Sequence, residues 1–500
     1  MPYIIDRTRF QQKTPLFLQS KILIFLMIMT STMLDLFNVT SILVSVRYLH
    51  EHYNVSPAPI ASWSLSAYAV TFAGFIGFAG RIGDIIGHDT QFIIGSIVFA
   101  IISLICAVVN NIYVFIVFRA FQGMAAATLI PSSYALMAHM FEGKQLNMAI
   151  TVLSGMLSSA NAGGLIVGGA FLESSVKYKG ITYVSFAISL LLGIIAFFNF
   201  PIVSRNKDKL RDLDYIGSSI LISGLLLIIV GFTEAGEHWN SPKTYVILPI
   251  GFVLVGVFII YENYVSPKMF PNTHLLIPKP VWTIPNFIPL VFNSILNFSG
   301  YFGMIFISTS YFLYIDDVSP LITGVRYLPF IVTLLFTLTL MSQIYGVFSP
   351  KWVSTLGFLI GVGGLILFSR VDYKVSYYYW KFSFTGQVLL GFGSVLYFIH
   401  YLNMIITATP LKFQGIVTGI AQTFAQFGIA LSFAVITSIV GDTSDKEKLH
   451  KRYINATYFC LACYGLGTLV LLFFVHDVAP TYPAKDDTTD DTDQNTGEKV

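Results

Sequence analysis

Charge is scarce in this sequence. Asp, Glu, Lys and Arg make up 11% of its 500 residues, whereas soluble domains carry about 25%. Hydrophobic residues make up 55%, and mean hydropathy is +0.72. That balance excludes an ordinary water-soluble protein, so the chain reads as a polytopic membrane protein. The net charge is only +3, and no basic patch interleaves with aromatics, so no nucleic-acid partner is expected. Cysteine is scarce too. Cys106, Cys460 and Cys463 all lie in apolar runs. The C-x-x-C of Cys460 and Cys463 lacks a polar setting, so neither a metal nor a cofactor is expected. The nine histidines are scattered. A membrane enzyme would need paired carboxylates, a His-rich cluster or a Ser/His/Asp set near a membrane surface, and no loop between the runs carries an HxxxH or DDxxD pattern, which argues against an enzyme. No cleaved leader is expected: Arg7, Arg9, Lys13 and Lys21 precede a long apolar run without a small-residue cleavage site.

What the sequence has in abundance is apolar runs, about 14 of them. Most are near the roughly 20 residues that a helix needs to cross a bilayer. Six fall at 21–46, 61–79, 90–110, 112–138, 147–171 and 181–200. Two more cover 215–233 and 244–262. The last six cover 284–314, 322–345, 350–369, 378–402, 415–440 and 454–474. The expected organisation is a tail over 1–20, a six-helix bundle over 21–200 and a loop over 201–214. A two-helix insert follows over 215–262, then a second six-helix bundle over 263–474. The acidic tail over 475–500 carries Asp486, Asp487, Asp490, Asp491 and Asp493 and is expected to be disordered. An even span count puts both termini on one side. The basic N-terminal tail and the charged loop Arg205 to Arg211 make that side cytoplasmic, although Lys446, Lys448, Lys451 and Arg452 then lie outside. In that topology Asn54, in an Asn-Val-Ser triplet, faces outward as a glycosylation acceptor.

The stretch Gly80 to Asp89, GRIGDIIGHD, separates two uncharged runs and is expected to form a tight loop at the membrane surface. Gly80, Gly83 and Gly87 let two helix ends approach. Asp84 can face a helix N-terminus or pair with Arg81. This spacing resembles the loop between helices 2 and 3 of the major facilitator superfamily, with His88 and Asp89 where that family usually carries basic residues. The variant looks like the fungal drug-resistance group of about 14 spans, in particular its aminotriazole, boron and ammonium branch. That resemblance implies an all-α major facilitator fold with about 14 transmembrane helices: two six-helix bundles plus a two-helix insert. A faint internal echo agrees. Gly80 to Gly95 has the length of Ser342 to Gly357, and the same offset sets Asn297 opposite Asp35. Parallel half-repeats with substrate at their interface are the facilitator architecture.

Several polar residues lie inside the runs, where they are costly and commonly functional. Asp35, in the first run, stands where the drug-resistance group carries an aspartate, although Thr40, Ile42 and Val44 depart from the residues usual further along. It either titrates in a cavity or makes a structural hydrogen bond. Arg119 lies deep in the fourth run. With Gly123, Ala125, Ala126 and Ala127 it resembles the family's helix-4 pattern. It cannot give up its proton, but it can hold a carboxylate and couple that group's protonation to conformation. Gln122 can bond in the same layer. Gly164, Gly168 and Gly169 in the fifth run permit close helix packing and resemble the antiporter motif. Ala160 and Leu165 replace that motif's first glycine and its proline, which leaves a uniporter open. Asn161, Asn293, Asn297, Gln387, His400, Gln422 and Gln426 are candidate cavity residues, with helix–helix hydrogen bonding as the alternative.

The resemblance covers residues 20 to 475 and implies a transporter of a small solute by alternating access. Proton-coupled export of a toxic or xenobiotic compound is the leading mode. Low-affinity passage of ammonium or a similar small solute is the alternative, and a non-transporting sensor is a third. The expected partners are a small-molecule substrate, protons and the lipid bilayer, with the chain acting as a monomer. The plasma membrane is the expected location, with the vacuolar membrane as the alternative.

Overall fold

The computed structural model describes residues 21–53, 57–141, 143–201, 212–235, 241–270, 273, 275–344, 348–409, 414–441 and 445–477. Some side chains within 57–62, 143–158, 342–344, 402–407 and 414–415 are left out. Asn54, the loop Arg205 to Arg211, residues 1–20 and residues 478–500 lie outside this description, whereas the start of the expected disordered tail is held in place: Val475 is buried and Asn286 bonds the His476 backbone at 2.9 and 2.7 Å.

In a bilayer core each backbone N–H and C=O must be bonded within the protein, so apolar runs of this length close on themselves as helices. The first six are α1 (Lys21–Tyr53), α2 (Pro57–Ile86), α3 (His88–Val108), α4 (Ile112–Met140), α5 (Gly143–Glu173) and α6 (Lys179–Asn199). The insert is α7 (Tyr215–Ala235) and α8 (Pro242–Ile260). The second set is α9 (Phe287–Tyr314), α10 (Pro320–Val325 and Leu328–Ile344), α11 (Pro350–Phe368), α12 (Thr385–Thr407), α13 (Gln414–Val440) and α14 (Lys446–Phe474). Among the described residues, thirteen helices are long and apolar enough to cross a membrane. The 31-residue α5, with several side chains outside the description, is the fourteenth long helix. The ends are capped locally. Asn111 Oδ1 accepts from the Tyr113 and Val114 N–H groups, and Asp445 Oδ1 from those of Glu447 and Lys448, which satisfies donors that a helix start leaves open. The break in α10 falls at Arg326 and Tyr327, one turn ahead of Pro329, which lacks the N–H that would bond the Val325 carbonyl in a continuous helix.

One expected loop is largely helix. Gly80, Arg81, Gly83 and Asp84 all lie on the last turns of α2, which runs to Ile86. Only Gly87, at φ 94 and ψ 128, leaves helical geometry before α3 begins. Its positive φ is one that L side chains rarely adopt. The glycines did not stop α2, because lost backbone bonds cost more near a membrane than in water. At the other end of the insert, α8 continues through a π-turn at Tyr261–Val265 and a helical turn at Ser266–Met269, past the expected boundary at residue 262.

Within the first half, α1 packs on α5, α2 on α4 and α3 on α6. Within the second, α11 packs on α12, and α9 on α13 and α14. The halves meet where α2 packs on α13 and α5 on α10, and α7 leans on both α2 and α13. Burial separates centre from rim: 83% of the most apolar window of α9 is buried, against 22% for the second insert helix. Thus α9 lies in the protein interior, while the second insert helix presents most of its surface outward.

Candidate functional site

The clearest polar site lies inside the first half, where α1, α2, α3, α4 and α6 converge. Arg119 of α4 is fully buried. Its Nη1 donates to Asn38 Oδ1 at 2.6 Å and to Gln122 Oε1 at 2.7 Å, and its Nε donates to the Ser64 carbonyl at 3.1 Å. Gln122 passes the chain on, its Nε2 donating to Ser103 Oγ at 2.7 Å, and Asn38 Nδ2 donates to Ser185 Oγ at 2.8 Å. The guanidinium carbon lies 4.4 Å from the centre of the Tyr68 ring, close enough for a cation–π contact. The Tyr68 hydroxyl donates to Asp35 Oδ1. Asp35 and Arg119 are therefore linked through the face and the hydroxyl of one tyrosine, and no direct ion pair joins them. Arg119 Nη2 makes no hydrogen bond.

Asp35, Arg119 and Gln122 thus belong to one network, as their depth in the apolar runs suggested. Sequence reasoning missed Asn38, Ser64, Tyr68, Ser103 and Ser185. A helical wheel offered a signal for one of them, since Asn38 follows Asp35 by three residues on the same face of α1. The others are common residue types with no distinctive spacing.

The glycines of α5 divide into two roles. A Cβ on Gly164 would come within 2.9 Å of Phe37 Cα, and one on Gly168 within 2.6 Å of Ser41 Cα. These two let α5 lie against α1, where Ser41 Oγ donates to the Gly164 carbonyl at 2.8 Å. Gly169 instead faces the other half, where a Cβ would sit 2.5 Å from the Pro320 carbonyl oxygen. Gly324 answers it, with a Cβ placed 2.7 Å from Ile166 Cα. Backbone therefore meets backbone across the halves at the bundle end away from Lys21, termed the distal end.

Charges reinforce this seam. Arg47 of α1 pairs with Asp317 at 2.7 Å, beyond the end of α9. Asp317 is exposed, and the hydrogen bond from Arg47 holds its carboxyl below the ordinary value of 3.8. Beside it Arg326 pairs with Asp316 at 2.6 Å and lies between the Phe312 and Tyr379 rings, and Tyr378 donates to Asp316. Burial pushes the Asp316 carboxyl up, with Arg326 opposing that shift.

The opposite end holds the former loop residues. Arg81 Nη2 donates to the Leu275 carbonyl at 2.6 Å and its Nη1 lies 3.8 Å from Asp84, which also meets His88 at 3.2 Å. Gly83 admits Gln91, whose Nε2 donates to the Ala79 carbonyl at 2.6 Å.

The remaining candidates do not form one constellation. Asn293 donates to the Gly467 carbonyl at 2.8 Å, and Asn297 contacts the Tyr464 hydroxyl at 3.4 Å. His400 Nδ1 bonds the Leu396 carbonyl of its own helix at 2.8 Å. Gln387 is buried on α12 without a hydrogen bond to either amide atom. Asn161 lies buried on α5 near the Tyr301 hydroxyl of α9, across the two halves. Gln422 and Gln426 are half-buried on α13, the helix that packs on α2. Among the described residues, no group of three or more His, Cys, Asp or Glu side chains could hold a metal ion.

A profile of the Major Facilitator Superfamily matches residues 23–433. An MFS-type transporter of a Penicillium species is 29% identical over 54% of this chain and 49% of its own length, so the chain spans about half of that relative. The low affinity ammonium transporter of Saccharomyces cerevisiae is 24% identical over 86% of this chain and 83% of its own. The tetracenomycin C resistance and export protein of Streptomyces glaucescens is 24% identical over 76% and 69%. Among solved structures, a peptide transporter in complex with sulfate aligns with TM-score 0.62 at 12% identity, over 94% of this chain and 97% of that one. This last likeness concerns the fold.

Proposed function

Because this chain belongs to the major facilitator superfamily, we propose that it moves a small solute by alternating access, as a proton-coupled exporter of a toxic or xenobiotic compound. The observation that carries this reading is the link Asp35–Tyr68–Arg119 inside one half. Asp35 is a carboxyl that can take up and release a proton. Arg119 is a permanent cation without a direct anionic partner. Ionised Asp35 accepts from the Tyr68 hydroxyl and balances Arg119 across the ring. Protonated Asp35 turns that hydrogen bond round and leaves Arg119 uncompensated. The open Nη2 of Arg119 is the donor that an ionised Asp35 or an acidic substrate group takes when the half rearranges. Protonation is in this way converted into a conformational preference, since a buried cation without a counter-charge is costly. The seam of Gly169, Gly324, Arg47 and Asp317 closes the distal end in one access state. Gly80, Arg81, Gly83, Asp84 and Gly87 hold the opposite end, and Asn161, Gln422 and Gln426 contribute polar contacts to substrate. The chain works as a monomer with both termini cytoplasmic, in the plasma membrane or else the vacuolar membrane.

A second reading is a low-affinity facilitator of ammonium or a similar small solute. The similarity to the yeast low affinity ammonium transporter favours it, as does Leu165 in place of the antiporter proline. The deciding experiment is a paired flux assay in cells lacking or overexpressing the protein. It compares efflux of boric acid and aminotriazole with entry of methylammonium, each with and without a proton uncoupler. Uncoupler-sensitive efflux, with its pH dependence removed in Asp35→Asn, is the expected result. Uncoupler-insensitive methylammonium entry down its gradient would replace the exporter with the facilitator.

A further inference from the structure

The junction between the insert and the second half contains two buried carboxyls that the transport site does not use. Asp214 caps α7, its Oδ1 accepting the Gly217 N–H at 2.8 Å. Glu262 stands in the π-turn after α8 and is fully buried. Its Oε1 accepts the Ile277 N–H at 2.7 Å. The two carboxyl groups lie side by side over Gly217. Their facing oxygens, Asp214 Oδ2 and Glu262 Oε2, crowd the same point over Gly217 and are buried without a donor among the described residues. A π-turn is an uncommon irregularity that tends to mark functional positions, and here it brings Glu262 inward.

Among the described residues, no cation lies within ion-pair distance of either carboxyl. Arg81 of α2 is engaged by the Leu275 carbonyl and Asp84. The neighbouring elements offer little else that titrates. The Tyr261 hydroxyl stands beside Asp214, and Tyr215 of α7 packs edge-on against Phe78. The α13 helix carries no charged side chain. Two buried carboxyls this close cannot both be ionised cheaply, so one proton is held between them.

The pair also grips a structural joint. The segment 275–277 leads into the second half. Arg81 holds its Leu275 carbonyl, Leu276 packs over Gly77, and Glu262 holds the Ile277 N–H. We propose that Asp214 and Glu262 form a second proton-binding site, a clasp that fastens the linker between the halves to the end of α2 while it holds its proton. Loss of the proton to solvent leaves two facing carboxylates, whose repulsion swings Glu262 off Ile277 and frees the linker. The clasp rests on the family reading only in that the halves move; its occupancy is independent of any substrate.

The test uses the purified full chain and needs no transport assay. Infrared difference spectra between acidic and alkaline buffer should contain the C=O stretch of a protonated carboxyl that survives in Asp35→Asn and disappears in Glu262→Gln. The thermal unfolding midpoint should fall as pH rises above the ordinary carboxylate range and level off once the pair has lost its proton. The sign follows from linkage: the bound proton stabilises the folded state at low pH and is lost as pH rises. Glu262→Gln should flatten that dependence, because its amide donates to Asp214 permanently while its oxygen still accepts from Ile277. Asp214→Asn should do the same if Glu262→Gln fails to fold. A band unaffected by both variants, or an unchanged pH dependence, overturns the proposal. So does stabilisation by added sodium or calcium at neutral pH without the band, which would make the occupant a metal cation.

Discussion

Adding a single methyl group at Gly324 should push the protein out of its distally closed state. In that state a Cβ on Gly324 would lie 2.7 Å from Ile166 Cα and 2.8 Å from both Ile166 N and Leu165 C. All three atoms are backbone of α5, in the other half, so no side chain can turn aside. Relief requires the helices to part. Overpacking of this kind costs about 1–3 kcal/mol, and in the distally open state the seam is apart and the cost vanishes. The closed-to-open ratio should therefore fall roughly 5- to 150-fold in Gly324→Ala. The assay is a distance distribution between spin labels at Val176 and Val375, both exposed at the distal end, one in each half. The three native cysteines are buried and unpaired and would be replaced first. Longer distances should gain weight in Gly324→Ala. Gly419→Ala, whose Cβ would have nothing within 4 Å, should match the parent. Gly169→Ala should act like Gly324→Ala, and the double variant should show less than the sum, since both open one seam. A folded Gly324→Ala protein with the parent's distance distribution would refute the reasoning.

Two further outcomes follow from the charges. Arg47 holds the Asp317 carboxyl below 3.8, so this pair contributes to closure at neutral pH and is lost only as pH falls through that lowered value. Because the pair is intact at about pH 7 and at about pH 5 alike, Asp317→Asn should lengthen the label distances by the same amount at both values. If the parent opened at pH 5 and Asp317→Asn abolished that response, the sign would be wrong. Arg119→Lys keeps the charge but cannot serve Asn38, Gln122 and the Ser64 carbonyl from one planar fork. Losing even one charge-assisted bond costs about 1.5–3 kcal/mol, so transport should fall at least about tenfold at unchanged expression. Wild-type transport in Arg119→Lys would reduce Arg119 to a point charge.

The helices were legible because lipid leaves the chain few choices. A run long enough to span must become a helix, and length alone identified the spans. Arg119 was legible for the converse reason: a charge in such a run stands out and requires partners. The partners were not legible, because Ser64, Tyr68, Ser103 and Ser185 are ordinary in composition and matter only through a packing that brings five helices together. Punctuation failed at Gly80 to Asp89. Glycine ends helices in water, where solvent accepts the freed backbone groups; here α2 keeps its bonds to Ile86, and only Gly87 turns. The acidic pair at Asp214 and Glu262 was hidden by distance along the chain and by the reading of the insert as two plain spans.

The same physics explains why the first half can carry both a carboxyl and an arginine without joining them. A direct ion pair between Asp35 and Arg119 would be a deep minimum, and separating it would cost several kcal/mol. Such a pair would hold one conformation. Interposing Tyr68 lets each charge keep a partner, the hydroxyl for Asp35 and the ring face for Arg119, with neither contact worth as much as the pair. Arg119 is anchored by three neutral acceptors and retains an open Nη2. The proposed coupling then has two arrangements to alternate between: Asp35 bonded through Tyr68, or Asp35 taken directly by Nη2. A transporter that alternates needs two states close in free energy. In the proposed mechanism a weakly joined pair would supply them, whereas a tight salt bridge would supply one.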